Sequence, residues 1–329
     1  MRLLIVGEQP SRSAPSLTLT RNLERHGIRC RFSRGSLHRS TAKWLRMVRW
    51  ANGIVYQGYH GDIFSLRQLA IAAAMGRPIL RRWAGTDVLV CLDNTRTRKV
   101  AKQLDRIVSL NFTPAEHLAS ELASIGITAR VIPPMLDNLP PHHRQPQIRN
   151  TKSLLVYLPS ARHDFYGLSA VKLAANANPD IEFVVVADDT HTLGKFSNVT
   201  SLGWVQNMES VWQQVGGLLR ITKHDGMPRM VLECLARGKY AIYSWPLEGC
   251  WFARTNDEIQ NQIDRFRQAA AFNKDGVEVA KRLLRPDASN EVAELIRATV
   301  RNRCRSLLLR SIPLLTSATF QIKFQKHVS

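Results

Sequence analysis

The chain has 329 residues, 44% of them hydrophobic and 22% charged, and carries a net charge of +20 at neutral pH. That length exceeds one ordinary hydrophobic core and points to two domains of about 150 residues each. Its apolar runs are far shorter than the roughly 18 residues of a membrane span, and five scattered cysteines (Cys30, Cys91, Cys234, Cys250, Cys304) speak for reduced thiols rather than disulfides or zinc.

The first apolar run follows Arg2 and ends at Glu8, too short for a signal-peptide core, so the chain is expected in the cytosol. In the first half, β-rich runs at 2–6, 28–32, 53–57, 78–83, 106–110 and 130–132 predict strands. Helix-period segments at 16–26, 40–51, 62–75, 94–104 and 114–125 alternate with them. Thr113 reads as the N-cap of the last helix, with Pro114 at its first position, Glu116 in the capping-box position and Gly126 at its end. In "HRSTAKWLRMVRWANG", Trp44, Leu45, Met47, Val48 and Ala51 follow helical spacing, while Arg39, Lys43, Arg46 and Arg49 lie mostly on another face. Such a helix either lies on an anionic membrane with its tryptophans at the interface, or buries its stripe and solvates its charges. Residues 1–150 hold 23 Lys and Arg against 9 Asp and Glu, which favours the membrane.

The segment "PPMLDNLPPHHRQPQIRNTK" has five prolines and no periodicity, and 136–152 is expected to link two domains, 1–135 and 153–289. After it, strands are predicted at 153–159, 182–188, 198–203, 217–223 and 240–244. The intervening helices fall at 165–177 and 207–215, and three more follow near 257–268, 276–284 and 290–310, with no further strand. The fold class expected is α/β: two Rossmann-like, doubly wound parallel-sheet domains facing a cleft, with ligands beyond the carboxyl ends of the strands.

The stretch "ITKHDGMPRMVLECLARG" (221–238) sits at such an end. A helix starting at Met227 or Pro228 puts Asp225 and Gly226 beside free backbone N–H groups that favour phosphate. Glu233 follows about two turns on, roughly 9–12 Å away at the helical rise. An elongated ligand with hydroxyls at both ends and phosphate between, such as a nucleotide-diphosphate sugar, fits that spacing. The alternative is a capping Asp and a solvated Glu.

The segment "HDGMPRMVLECLARGKYAIYSWPLEG" resembles the acid-x7-acid motif of the family 4 glycosyltransferases of GT-B fold. "LLVYLPSARHDFYGLSAVKLAANANPDIEFVVVAD" is similar to the opening unit of that family's donor domain, "NVTSLGWVQNMESVW" to its nucleobase-side segment, and "GYHGDIFSLRQLAIAAAMGRPILRRWAGTDV" to its H-G-x-D segment. The resemblance implies retaining, metal-independent transfer of a sugar from a nucleotide sugar to a saccharide or lipid-linked acceptor, with no cofactor. It implies that Asp225 binds sugar hydroxyls, Gly226 and Met227 offer N–H groups, and Glu233 binds the ribose. It also implies that residues 290–329 cross back to the first domain; with the basic first half, a cytoplasmic protein working peripherally on the inner face of the membrane is expected.

Three positions depart from the family pattern. The first acid is Asp225, not Glu; Tyr166–Gly167 stands where Lys-Gly is usual; and Ala84, or Arg82 if the gap moves, replaces the His that accompanies Asp87. Arg162, with Ser160 beside it, is the best substitute for the diphosphate clamp, and Lys223 is held in reserve. In the first loop, Ser11, Ser13 and Ser16 replace a glycine pair, and Ser11 and Ser13 either contact acceptor or cap the loop. His163 and His224 are expected near the site, where each either contacts phosphate or, as the commoner case, is incidental, and Trp204, Trp212, Trp245 and Trp251 in core or loop packing. Catalytically weakened donor binding is one competing reading. Nucleic-acid binding is the other; it rests on charge alone and is not expected.

Overall fold

The computed structural model describes residues 1–7, 15–34, 41–57, 63–132, 134, 152–284 and 288–302. All but Lys152 of the expected linker lies outside them, as do Ser11 and Ser13. The chain forms two compact units, one of the described residues up to 134 together with 288–302, the other of 152–284.

The first unit holds a parallel sheet of β1 (Arg2–Gly7), β2 (Arg29–Arg34), β3 (Gly53–Gln57), β4 (Ile79–Arg82), β5 (Val108–Thr113) and β6 (Arg130–Val131). Its order is β2-β1-β3-β4-β5-β6. Leu3, Leu4, Ile5 and Val6 are all fully buried, because a parallel strand covered on both faces reads as a continuous apolar run. The helices are α1 (Pro15–Arg25), α2 (Thr41–Trp50), α3 (Ile63–Ala74), α4 (Thr86–Asp93), α5 (Thr95–Asp105) and α6 (Glu116–Ser124).

The second unit holds β7 (Ser153–Tyr157), β8 (Glu182–Val186), β9 (Val199–Ser201), β10 (Gly217–Arg220), β11 (Tyr240–Tyr243) and β12 (Trp251–Phe252), all parallel, in the order β12-β11-β10-β7-β8-β9. Its helices are α7 (Leu168–Ala177), α8 (Met208–Gln214), α9 (Arg229–Ala236), α10 (Asn256–Gln268) and α11 (Lys274–Leu283), with a 3-10 turn at Ser160–Tyr166. The chain starts at β7, winds outward through β8 and β9, then returns to β10 on the other flank of β7. The order therefore reverses between β7 and β10, and their carboxyl ends form the crevice where such sheets bind ligands.

The last described helix, α12 (Ala288–Arg301), packs in the first unit. Its Val292, Ala293, Ile296 and Val300 are buried with Leu3, Ile5, Leu19 and Leu23. Gly53 lies under it so closely that a Cβ there would meet Val300 Cγ2 at 2.7 Å.

Several elements differ from the sequence expectations. Helix α4 is additional, carrying an apolar run at 88–92 that no expected element covers, and β12 is an additional strand after 244. Thr113 does not cap α6: it ends β5, paired with Val131, and the N-cap is Ala115 without a side-chain hydrogen bond. On α2, Trp44 is 1% exposed and donates its indole N–H to the Gln68 carbonyl, while the Trp50 ring faces the Arg31 guanidinium at 4.3 Å. The tryptophans of α2 are therefore committed to the protein, and Lys43, Arg46 and Arg49 remain exposed. Trp212 is core, but Trp204 is 68% exposed rather than packed. None of the four described cysteines is in a disulfide. Among the described residues, no helix is long and apolar enough to cross a membrane.

Candidate functional site

Two loops leave the sheet at the reversal point of the second unit. After β7 the chain enters the turn Ser160–Tyr166, with Arg162 in a non-helical conformation that breaks it. After β10 it runs through Ile221–Pro228 to α9, which begins at Arg229 with Pro228 as N-cap, later than expected, and carries no side-chain cap. The loops touch: the Lys223 N–H donates to the Phe165 carbonyl at 2.9 Å. Gly167 has φ of 72°, and a Cβ there would meet the Ile221 carbonyl oxygen at 2.9 Å, so glycine is required for this approach. Ser160, Arg162, Lys223, Asp225, Gly226 and Met227 are thereby gathered at one edge of the sheet.

Each has a defined local setting. Arg162 is exposed, its guanidinium 4.0 Å from the Phe165 ring centroid, and Lys223 is also exposed. The Ser160 hydroxyl accepts from the Asp189 N–H at 2.9 Å and donates to the Ala187 carbonyl at 3.4 Å, which ties the turn to the end of β8. Met227 has φ of 66°, a left-handed conformation uncommon for a non-glycine residue. Asp225 Oδ1 accepts from the Gly226 N–H at 2.9 Å, and Oδ2 accepts from Arg220 Nε at 2.7 Å. Arg220 is 8% exposed, with Tyr157 and Tyr166 ring centroids 5.5 and 5.4 Å from its guanidinium. Burial alone would lower its pKa, but the Asp225 charge and hydrogen bond more than offset that and hold it raised.

Glu233 lies on α9, half-buried, with Oε1 3.6 Å from Arg229 Nη2. Burial pushes its carboxyl above the ordinary range, and the Arg229 and Arg237 charges only partly pull it back. The Trp212 indole nitrogen is itself buried, with no acceptor within hydrogen-bond distance. A half-buried carboxyl whose burial is only partly offset within the protein is poised to accept hydrogen bonds from a ligand.

The turn after β7 holds a further pair. His163 Nε2 lies 3.2 Å from Oδ1 of Asp188, whose side chain is fully buried at the end of β8. Sequence reading singled out His163 but neither Asp188 nor Arg220. The available signals were charged residues directly ending apolar strands, in "VVVADD" and "GLLR". His224 is buried against Trp245, with ring centroids 5.0 Å apart.

Asp87 belongs to the first unit, at the start of α4. Its Oδ1 accepts from the N–H groups of Ala84 at 3.0 Å, Gly85 at 2.9 Å and Val88 at 3.0 Å, while Oδ2 is buried without a partner. Nearby, burial pushes Arg82 down to about 10, a shift Asp87 partly opposes. Ser16 is buried in α1. At the amino edge of the second sheet, an open groove of about 590 Å³ is lined by Tyr240, Trp251, Arg265 and Phe272. Its Trp251 ring already lies 4.5 Å from Tyr240 and 4.3 Å from the Arg265 guanidinium. Among the described residues, no group of three or more His, Cys, Asp or Glu side chains is placed to hold a metal ion.

No protein-family profile matches the sequence, and no curated protein matches it significantly. The fold is similar to that of solved structures. Anabaena Alr3699/HepE in complex with UDP and glucose matches with a TM-score of 0.68 at 16% identity, over 91% of this chain and 100% of that one. The same protein in complex with UDP-glucose gives 0.69 at 14%, with the same coverage. Sucrose-phosphate synthase from Thermosynechococcus elongatus gives 0.66 at 12%, over 90% of this chain and 98% of that one. At these identities the likeness establishes the fold: two parallel-sheet, Rossmann-like units in a GT-B-like architecture.

Proposed function

We propose that the chain is a glycosyltransferase of the family 4 type that uses a nucleotide-diphosphate sugar, without a metal and with retention at the anomeric carbon. The observation that carries this reading is the convergence of the β7 and β10 loops at the reversal point of the second sheet, with Arg162, Lys223, Asp225 and Gly226 at that edge and Glu233 on α9. The fold likeness to a protein solved with UDP, glucose and UDP-glucose supports it.

In this reading Glu233 accepts hydrogen bonds from the ribose hydroxyls and Asp225 orients the sugar. Arg162, Lys223 and the Gly226 and Met227 amides stabilise the diphosphate. The bond from the anomeric carbon to the diphosphate breaks with both electrons leaving on the diphosphate. The acceptor hydroxyl forms the new bond on the same face and gives its proton to an oxygen of the departing diphosphate. Fixed cations and backbone dipoles stabilise the departing charge without reorganising during the reaction. The first unit, with Asp87 and the serines Ser11 and Ser13, holds a saccharide or lipid-linked acceptor. The exposed Lys43, Arg46 and Arg49 rest on an anionic membrane at the inner face of the cell membrane, by charge and not by tryptophan insertion.

A panel of nucleotide sugars tests the reading by thermal shift, since a ligand that binds the folded state raises the melting temperature. One member raises it in the wild type, Glu233→Gln abolishes the shift, and the same sugar passes as a radiolabel to a lipid or polysaccharide extract. No shift with any member refutes the reading. A second reading, donor binding without transfer, draws on the engagement of both Asp225 oxygens within the protein; a shift without label transfer favours it.

A further inference from the structure

We propose that His163 is a diphosphate-binding residue of this site and that Asp188 is its positioning residue; the inference rests on the nucleotide-sugar reading above. His163 shares the turn after β7 with Ser160 and Arg162, immediately before α7, on one flank of the reversal point. Its side chain is 16% exposed, and its Nε2 faces Asp188 Oδ1 at 3.2 Å.

Asp188 is held rigidly. Its side chain is fully buried, Oδ1 also accepts from the Thr190 hydroxyl at 2.6 Å and the Thr190 N–H at 3.2 Å, and Oδ2 accepts from the Thr192 N–H at 2.8 Å. Burial would raise this carboxyl, but those hydrogen bonds and His163 hold it below its ordinary value. An ionised carboxylate only accepts hydrogen bonds, so Nε2 of His163 carries the proton between them. The tautomer and the ring orientation are therefore set by a residue of a neighbouring strand. Nδ1 has no protein partner among the described residues. With Nε2–H given to Asp188, Nδ1 is the ring position left for a phosphate oxygen, and a proton taken up there together with the anionic ligand makes the bond between them. Arg162 brings a guanidinium donor from the same turn, so the two side chains share the leaving diphosphate. Asp188 touches no ligand in this arrangement and acts only through the imidazole.

Titration calorimetry with UDP, GDP, ADP, CDP and dTDP identifies the tightest diphosphate, which is then compared with its own nucleoside. His163→Ala is expected to weaken the diphosphate about ten- to a hundredfold, the range for a lost hydrogen bond to a charged group, and to leave the nucleoside unchanged. His163→Lys, which keeps a cation, recovers part of the loss. Asp188→Asn weakens the diphosphate in the wild type but has no further effect in the His163→Ala background, because a residue acting through another is silent once that other is gone. An unchanged ratio of diphosphate to nucleoside affinity in His163→Ala overturns the inference while leaving the nucleotide-sugar reading intact. Loss of nucleoside and diphosphate binding together also overturns it, as does an additive effect of Asp188→Asn. A wild type that binds none of the five diphosphates refutes the underlying reading itself.

Discussion

Arg220 ends a buried strand with a guanidinium that depends on Asp225, and this pairing decides how the first acid of the motif is to be probed. Removing the carboxylate leaves a buried cation unpaired, at a cost of about 3–5 kcal/mol. Asp225→Ala is therefore expected to unfold at clearly lower urea than Asp225→Asn, whose amide oxygen still accepts from Arg220 Nε. Sugar binding is properly read in the Asn variant, where a lost thermal shift reflects the ligand and not the fold. Glu233 works in the opposite sense. Its folded pKa lies above the unfolded value, so its ionised form costs stability above that pKa, and the cost is relieved as pH falls through it. Glu233→Gln should accordingly melt, without ligand, no lower than the wild type at neutral pH while losing the nucleotide shift; a lower melting temperature would show that the carboxylate is a structural support. Asp225 and Glu233 stand out in the sequence as candidates because their spacing is local to one loop and helix. Arg220 and Asp188 were not singled out: a charged residue ending an apolar run implies a partner without naming it, and His163 and Asp188 are brought together only by the pairing of β7 with β8.

The two loops of the site depend on one another through Gly167. Gly167→Ala adds a Cβ within 2.9 Å of the Ile221 carbonyl oxygen at a left-handed φ, a strain of about 1–3 kcal/mol. Both the melting temperature and nucleotide affinity should fall, whereas Gly27→Ala, also left-handed but with open space around it, should lower only the melting temperature. The elements themselves were legible to differing degrees. Buried parallel strands announce themselves as apolar runs bounded by turn residues, which is why β1, β3 and β7 read clearly. The run at 88–92 is equally apolar but lies in α4, because Gly85 and the Asp87 carboxylate organise a helix start that composition alone does not separate from a strand. Two-residue β12 has too little sequence to carry a pattern, and Thr113 was assigned to the cap because its role as the last residue of β5 depends on pairing with β6.

At the scale of the whole chain, α12 completes the core of the first unit. Ile296→Ala should cost about 2–4 kcal/mol, read as a lower first transition in calorimetry, with the transition of the second unit unmoved. The core clusters of the second unit contain no residue of 1–134 or 288–302, so the second unit has no share in that loss. Two domains were legible from length and from the strand rhythm on either side of the proline-rich segment; the seat of α12 is set by its packing against Leu3, Ile5, Leu19 and Leu23. Its return also has a consequence for biosynthesis. A ribosome releases the second unit whole while the amino-terminal sheet still lacks the helix that shields Leu3 and Ile5. The later-made half can therefore mature ahead of the earlier-made one, and a chain cut short near residue 285 and released carries a complete second unit and a first unit whose greasy flank is still open to chaperones.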